Sequence, residues 1–338
     1  MNVSKIWDNY IHSDDFSGVF SVTCEHGGVI FEKCQGLRNR SEKLPNNIDT
    51  AFGIASGTKL FTALAVCKLI DENKLLLEEK ICDILPFNLG QIDRNATVFH
   101  LLTHSSGVGD YIDEESPDST AQMEELNRKY PVYLWERLEY YLPMITPLPP
   151  KFKPGERFGY SNAGFILLGL AIEAISKMPY QQFIRKIIIE PLKLNRTGFY
   201  RSDLLPANTA LGYLSGELYN EQRTNVFSLP VIGGADGGIY TCASDLDILW
   251  RGVFSRKILS EKMTNQFLKP QINIGNGQSY GLGVYIHNRD GNLVYYAVGG
   301  DFGVDFFTAY FPEQKIVASA LGNTEINTYP LLEALISL

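Results

Sequence analysis

Hydrophobic and polar positions alternate at both ends of the chain and follow helical spacing between them. "FSGVFSVTCEHGGVIFEKCQG" carries two alternating runs around the turn signal "EHGG" and predicts a hairpin of strands over Val19–Thr23 and Val29–Lys33. A loop rich in turn residues, "KLPNNIDTAFGIASG", follows. From Lys59 to about Asn73 the apolar residues Leu60, Leu64, Val66 and Leu69, reinforced by Ala63 and Ala65, fit a helix. "ATVFHLLTHSSG" predicts a short helix ending at Gly107. From Tyr111 to about Pro150 the sequence turns acidic and aromatic, then proline-rich, which predicts a long connection or lid; its part from Tyr111 to Tyr141 reads equally as a pocket wall or as a plain solvated connector. "GYSNAGFILLGLAIEAISKMPYQQFIRKIIIEPLKL" gives two more helical segments. "ADGGIYTCASDLDILWRGVF" reads as a strand, a cap at Ser244 and Asp245, and a helix. Alternation returns in "SYGLGVYIHNRDGNLVYYAVGG" and "VDFFTAYFPEQKIVASALGN", strands joined by turns.

Strands at both ends around a helical middle predict an α+β fold. Its antiparallel sheet is built from the N- and C-terminal strands and flanked by helices, with a mainly helical domain inserted. At 338 residues the chain is long for a single core. The expected division is a discontinuous sheet domain, residues 1–62 and 201–338, and a helical domain, residues 63–200, with the active site at their interface.

Composition narrows the function. Hydrophobic residues make up 45% and charged residues 20%, the balance of a globular protein. A net charge of -8 and the lack of any basic run argue against a nucleic-acid partner. The start lacks the charged and apolar regions of a secretory signal. The longest apolar run, "AGFILLGLAIEAI", is too short for a membrane span and contains Glu173. Cys24, Cys34, Cys67, Cys82 and Cys242 show no C-x-x-C spacing and read as free thiols in a reducing compartment, so a cytoplasmic location is expected. Histidines and acids lack metal-ligand spacing, and "GGADGG" lacks the context of a phosphate loop, so no metal or other cofactor is expected. Nothing in the chain speaks to oligomeric state.

The candidate chemistry begins with Ser56 and Lys59, three positions apart where the loop enters a helix. A serine hydroxyl becomes a nucleophile once a base removes its proton, and i, i+3 spacing sets the lysine on the serine's face. Desolvation and the helix N-terminus push a lysine toward its neutral, basic form. Ser-x-x-Lys alone arises by chance roughly once in a chain of this length. A second element, Tyr160 and Asn162 before an apolar helix, supplies a phenol able to relay a proton and an amide able to orient a carbonyl or the lysine. On their own these two also suit a packed tyrosine and a helix cap.

Together these segments resemble the serine beta-lactamase and penicillin-binding-protein superfamily, in its class C beta-lactamase, D,D-peptidase and esterase branch. The resemblance runs collinearly from the hairpin through "FGIASGTKLFTALAVCKLIDENKLLL", "VFHLLTHSSGV", "KPGERFGYSNAGFILLG" and "GGADGGIYTCASDLDIL" to "SYGLGVYI" and "FFTAYFPEQKIVASALGNTE". It implies a beta-lactamase/transpeptidase-like fold and small ester, amide or beta-lactam substrates. Ser56 would be the acylated nucleophile, Lys59 its base, and Tyr160 the group that passes the proton to the leaving group. Asn162 would bind the substrate's amide or hold Lys59. The oxyanion hole would be the backbone N–H of Ser56 and that of Gly300.

The family's third motif, Lys-Thr-Gly or His-x-Gly, is altered. Aligned on its glycine it becomes Ala297-Val298-Gly299, with Gly300 next; a shift of one residue would put Val298 in the cationic slot. In both registers the cation is gone. The chain's His26-Gly27-Gly28 falls in the N-terminal turn and reads as coincidence. Loss of one charge-assisted contact costs about 1.5–3 kcal/mol, which disfavours carboxylate-bearing substrates and favours ester cleavage. The rival expectation is a ligand-binding or sensing module on the same fold. His100 and His104 are expected to pack and hydrogen-bond, and Asp301 to be an exposed strand-end carboxylate more than a substrate-selecting one.

Overall fold

The computed structural model describes residues 3–11, 16–25, 28–214, 223–289 and 291–337. His26 and Gly27 of the N-terminal turn, and Asp290 of "NRDGN", lie outside them.

The hairpin forms as β1 (Gly18–Thr23) and β2 (Val29–Gln35), after helix α1 (Val3–Tyr10). Ser56 sits in a turn that leads into α2 (Thr58–Asp71), and Asn162 opens α3 (Asn162–Ser176). Later come α4 (Ala243–Phe254), the strands β3 (Ile272–Gly275), β4 (Gln278–Tyr280), β5 (Tyr285–Arg289), β6 (Asn292–Asp301), β7 (Val304–Phe311) and β8 (Ile316–Gly322), and α5 (Tyr329–Ile336). One eight-stranded sheet runs β2-β1-β8-β7-β6-β5-β4-β3, every pair antiparallel. The first strand pairs with the last, Gly18 opposite Gly322, so the two ends of the chain share one sheet.

Period-two alternation divides the sheet into two faces. Val19, Tyr295, Ala297, Phe306 and Leu321 join the large core formed with α2, α3 and α4. Their neighbours Phe20, Val294, Tyr296, Phe307 and Ala320 bury the opposite face under α1 and α5. Both faces are therefore covered, and α2 and α3, buried on nearly all sides within the large core, are apolar nearly all round. No single helix among the described residues is long and apolar enough to cross a membrane.

Local expectations are corrected in three places. The helix expected to stop at Gly107 ends at Leu102, where Thr103 leaves helical geometry and His104 takes φ +54°. The stretch after Tyr111 is no plain connector: it holds a helix over Ser119–Lys129 and a further turn over Leu142–Ile145. Cys242, not Ser244 or Asp245, occupies the N-cap of α4, without a side-chain bond. Asp245 is instead buried and accepts from the Arg196 backbone N–H (2.8 Å) and the Thr197 hydroxyl (2.7 Å), tying α4 to the preceding loop.

Candidate active site

Ser56 is set by a tight turn, Ala55–Gly57, at the entrance to α2. Ala55 carries φ +45°, a left-handed conformation that costs a non-glycine residue about 1–3 kcal/mol and persists only where neighbours enforce it. They do so here. The Thr58 hydroxyl donates to the Ala55 carbonyl (2.7 Å) and accepts from the Ile239 N–H (3.0 Å), while the Ile54 N–H donates to the Ile239 carbonyl (3.0 Å). Strand β6 closes the other side. A Cβ on Gly299 would lie 2.2 Å from the Ile54 carbonyl oxygen and 3.0 Å from the Ser56 nitrogen, so only glycine allows this approach.

Lys59, 3% exposed, lies one helical turn along. Its Nζ is 2.9 Å from Ser56 Oγ and donates to Asn162 Oδ1 and the Asp236 carbonyl, both at 2.7 Å. Burial lowers the lysine's pKa, against the opposing pull of the Asp236, Glu114, Asp110 and Asp301 carboxylates. A neutral amine in this place can keep its two donor bonds and turn its lone pair to the serine hydroxyl.

The Tyr160 phenol hydrogen-bonds to Ser56, and burial holds its pKa well above the ordinary value, so it is a neutral phenol. Its ring rests on His104, centroids 4.4 Å apart. His104 accepts the Ser161 N–H on Nδ1 (3.1 Å), and burial, then the nearby Lys59, holds its pKa well below the ordinary histidine value. A neutral ring with Nδ1 as acceptor serves as packing and support for the Tyr160 segment.

Asn162 is fixed from three sides. Ser161 caps α3 by accepting the Gly164 N–H (3.0 Å), and the Asn162 N–H donates to Asp110 Oδ2 (2.6 Å). Its amide Nδ2 donates to Glu114 Oε1 (2.7 Å), which leaves Oδ1 for Lys59. Asp110 also accepts the Ala163 N–H (3.2 Å), and burial raises its pKa to about 7.

A turn-held serine in contact with a buried lysine and a phenol accords with what is found among known proteins. The model of the family described as Beta-lactamase matches residues 3–334. The chain belongs to the beta-lactamase family. A penicillin-binding protein from Bacillus halodurans, known as a crystal structure, is 36% identical over 99% of both chains, with a TM-score of 0.90. Penicillin-binding protein 4* of Bacillus subtilis (strain 168) is 28% identical over 342 residues, covering 97% of this chain and 72% of that protein. The D-stereospecific amidohydrolase from Streptomyces sp. shares the fold at TM-score 0.78, with 22% identity over 98% of this chain and 97% of that one. The family is one of hydrolases built on this sheet-and-helix fold.

The residues aligned with the family's third motif, Ala297-Val298-Gly299, all lie on β6, but they face differently. Gly299 abuts the nucleophile turn, and the exposed Gly300 borders a cavity together with Ser56, Tyr160, Val298 and Glu114. Ala297 does not border that cavity: it is 7% exposed, its methyl group in the core under the sheet. Val298 is the motif side chain that meets the cavity, because alternation along β6 turns it away from Ala297.

Three residues of the site are absent from the sequence reading. Glu114 sits in the acidic stretch read as a pocket wall and Asp110 directly precedes it, but their contacts with Asn162 come from the folding of this segment over the start of α3. Asp236 lies in the "GGADGG" run rejected as a phosphate loop; its backbone carbonyl accepts from Lys59 and its carboxylate from the Tyr111 hydroxyl. Asp301, expected to be exposed, is partly buried, and burial raises its pKa to about 7. Among the described residues no group of three or more His, Cys, Asp or Glu is arranged to hold a metal.

Proposed function

We propose that this protein is a serine hydrolase that cleaves small esters or amides through an acyl-Ser56 intermediate, with esters preferred. The observation that carries this reading is the 2.9 Å contact between Lys59 Nζ and Ser56 Oγ at a lysine whose pKa is lowered by burial. The neutral Lys59 amine takes the serine proton, directly or through the Tyr160 phenol, as Oγ bonds to the substrate carbonyl carbon. The backbone N–H groups of Ser56 and Gly300 face the oxygen that gains negative charge. Tyr160 passes the proton to the leaving group, the carbonyl–leaving-group bond breaks, and acyl-Ser56 remains. Water, deprotonated by the same pair, then releases the acid. Of the two roles open to Asn162, holding Lys59 is the one its contacts support, and the substrate's polar groups lie alongside the β6 backbone at Gly299 and Gly300.

A silent binding module is the competing reading, favoured by the absence of a lysine or histidine at both Ala297 and Val298. The two part in one assay. Turnover of p-nitrophenyl butyrate that is lost in Ser56→Ala, with the fold intact by circular dichroism, supports the hydrolase. Equal release of p-nitrophenol by both proteins would overturn the assignment of Ser56.

A further inference from the structure

Of the cavities around the nucleophile turn, one borders Ser56, Tyr160 and Gly300 together. Two others, which hold Asp236 and Asp301, reach none of these three residues. The place of the leaving group follows from the proton it needs. That proton comes from Tyr160, so the leaving group lies in the first cavity, beside the phenol.

Rings wall this cavity. Phe158, Tyr285 and Tyr329 border it with Tyr160, and a continuous run of contacts holds them. Tyr160 rests on His104, His104 meets Tyr280 at 4.9 Å, and Tyr280 meets Tyr285 edge-on at 4.7 Å. Tyr285 stacks on the buried Tyr296 at 5.1 Å, and Tyr296 hydrogen-bonds to Tyr329. Rings fixed in this way lose little freedom when a flat ligand arrives. Tyr329 is the member that packing does not explain. It opens α5, whose Leu331, Leu332, Leu335 and Ile336 bury the helix against the sheet, yet Tyr329 itself is 37% exposed. Asp305 fixes that helix start by accepting the Thr328 N–H (2.9 Å).

Charge narrows the ligand further. Among the described residues no lysine, arginine or histidine borders the cavity. Its three carboxylates already have partners: Glu114 the Asn162 amide, Glu115 the Arg157 guanidinium (3.6 Å) and Asp305 the Thr328 N–H. They repel an anion without requiring a cation.

We infer that the protein selects its substrates by an uncharged aromatic leaving group, whose ring lies against Tyr285 and Tyr329. This deepens the hydrolase reading and rests on it. Tyr329 is the specificity-determining residue, and Val298 adds an apolar contact to the same cavity. The substrate class is then aryl and arylmethyl esters of short acids. A carboxylate on the leaving group finds no partner there.

Paired butyrate esters test this. Benzyl butyrate should exceed 2-methoxyethyl butyrate, whose alcohol is of comparable acidity but carries no ring, by about tenfold or more in kcat/KM. The 4-carboxybenzyl ester should fall about tenfold below the benzyl ester. Tyr329→Ala should shrink the benzyl preference to within about threefold. Val298→Lys should raise the 4-carboxybenzyl ester relative to the benzyl one by about tenfold. A parent preference below about threefold, or one that survives Tyr329→Ala, would overturn the inference. So would an equal gain from a ring on the acyl side, as in 2-methoxyethyl 4-phenylbutanoate. Calorimetry of Ser56→Ala with the benzyl and 2-methoxyethyl esters reads the ring site without turnover. Tighter binding of the benzyl ester beside absent turnover in the parent removes the hydrolase and keeps the ring site. Ester turnover without benzyl preference removes the ring site alone.

Discussion

Lys59 decides whether this site can work, and the reason lies in its surroundings more than in its position. Ser-x-x-Lys spacing sets the amine near the hydroxyl, but burial is what lowers its pKa, and the flanking carboxylates limit that fall. An arginine in its place would stay protonated at any working pH. Lys59→Arg should therefore lose about 10²–10⁴-fold in kcat/KM for a p-nitrophenyl ester while remaining folded. An arginine variant within threefold of the parent would show that the base is elsewhere. With the protonated lysine inactive, kcat/KM should rise with pH along a limb below the ordinary lysine range, and that limb should vanish in the variant. Ser56 and Lys59 could be paired from their spacing at a helix onset, whereas Tyr160 and Asn162 were joined to them through the family resemblance, with which the Lys59–Asn162 and Tyr160–Ser56 contacts accord. Glu114, Asp110 and Asp236 were not legible, because each reaches the site through a loop whose path depends on tertiary packing.

Between elements, the decisive contacts are the approach of β6 to the nucleophile turn and the docking of Asp110 on α3. A methyl group at Gly299 would meet backbone atoms that cannot swing aside, 2.2 Å from the Ile54 oxygen. Gly299→Ala should shift the turn and cut kcat/KM by about 10²-fold, since a misplacement of about an ångström at a reacting group costs that much. Unchanged kinetics would mean that the strand does not hold the turn. Asp110 gives a pH-dependent prediction. Its folded pKa, about 7, exceeds the unfolded value near 3.8, through burial that outweighs the Asn162 and Ala163 N–H bonds and Lys151; Glu114 adds to the rise. Its contribution to stability is therefore complete below pH 3.8 and lost as pH rises through about 7. Asp110→Asn should cost more in urea unfolding at pH 5 than at pH 8. A larger penalty at pH 8 would reverse the sign and the burial argument. Strand and helix patterns foretold α2, α3 and β6, whereas the Ser119–Lys129 helix escaped notice because it is polar nearly throughout.

Across the molecule, Ser56 and its cavity lie at the ends of the central strands, bordered by Phe306 of the large core, by Phe307, and by Tyr329 at the start of α5, while α1 and α5 seal the sheet's second face. Trp7 anchors that seal, 4% exposed, stacked on Phe20 at 5.5 Å and edge-on to Phe16 at 5.0 Å. Trp7→Ala should destabilise the protein by about 3–5 kcal/mol yet leave the rate of Ser56 acylation unchanged well below the melting temperature. A proportionate loss of reactivity would show the two faces to be coupled. The α+β architecture and the pairing of the chain's two ends followed from alternation at the termini around a helical centre. The charge character of the cavities did not, since residues as distant as Glu114, Asp236 and Asp301 converge only in the folded chain.

The central claim is that Lys59 activates Ser56, and intact-mass spectrometry after treatment with a fluorophosphonate tests it most directly. The account predicts a single adduct on the parent protein, mapped to Ser56, absent from Ser56→Ala and strongly slowed in Lys59→Arg. A folded parent that takes up no label, or label that persists in Ser56→Ala, would contradict it.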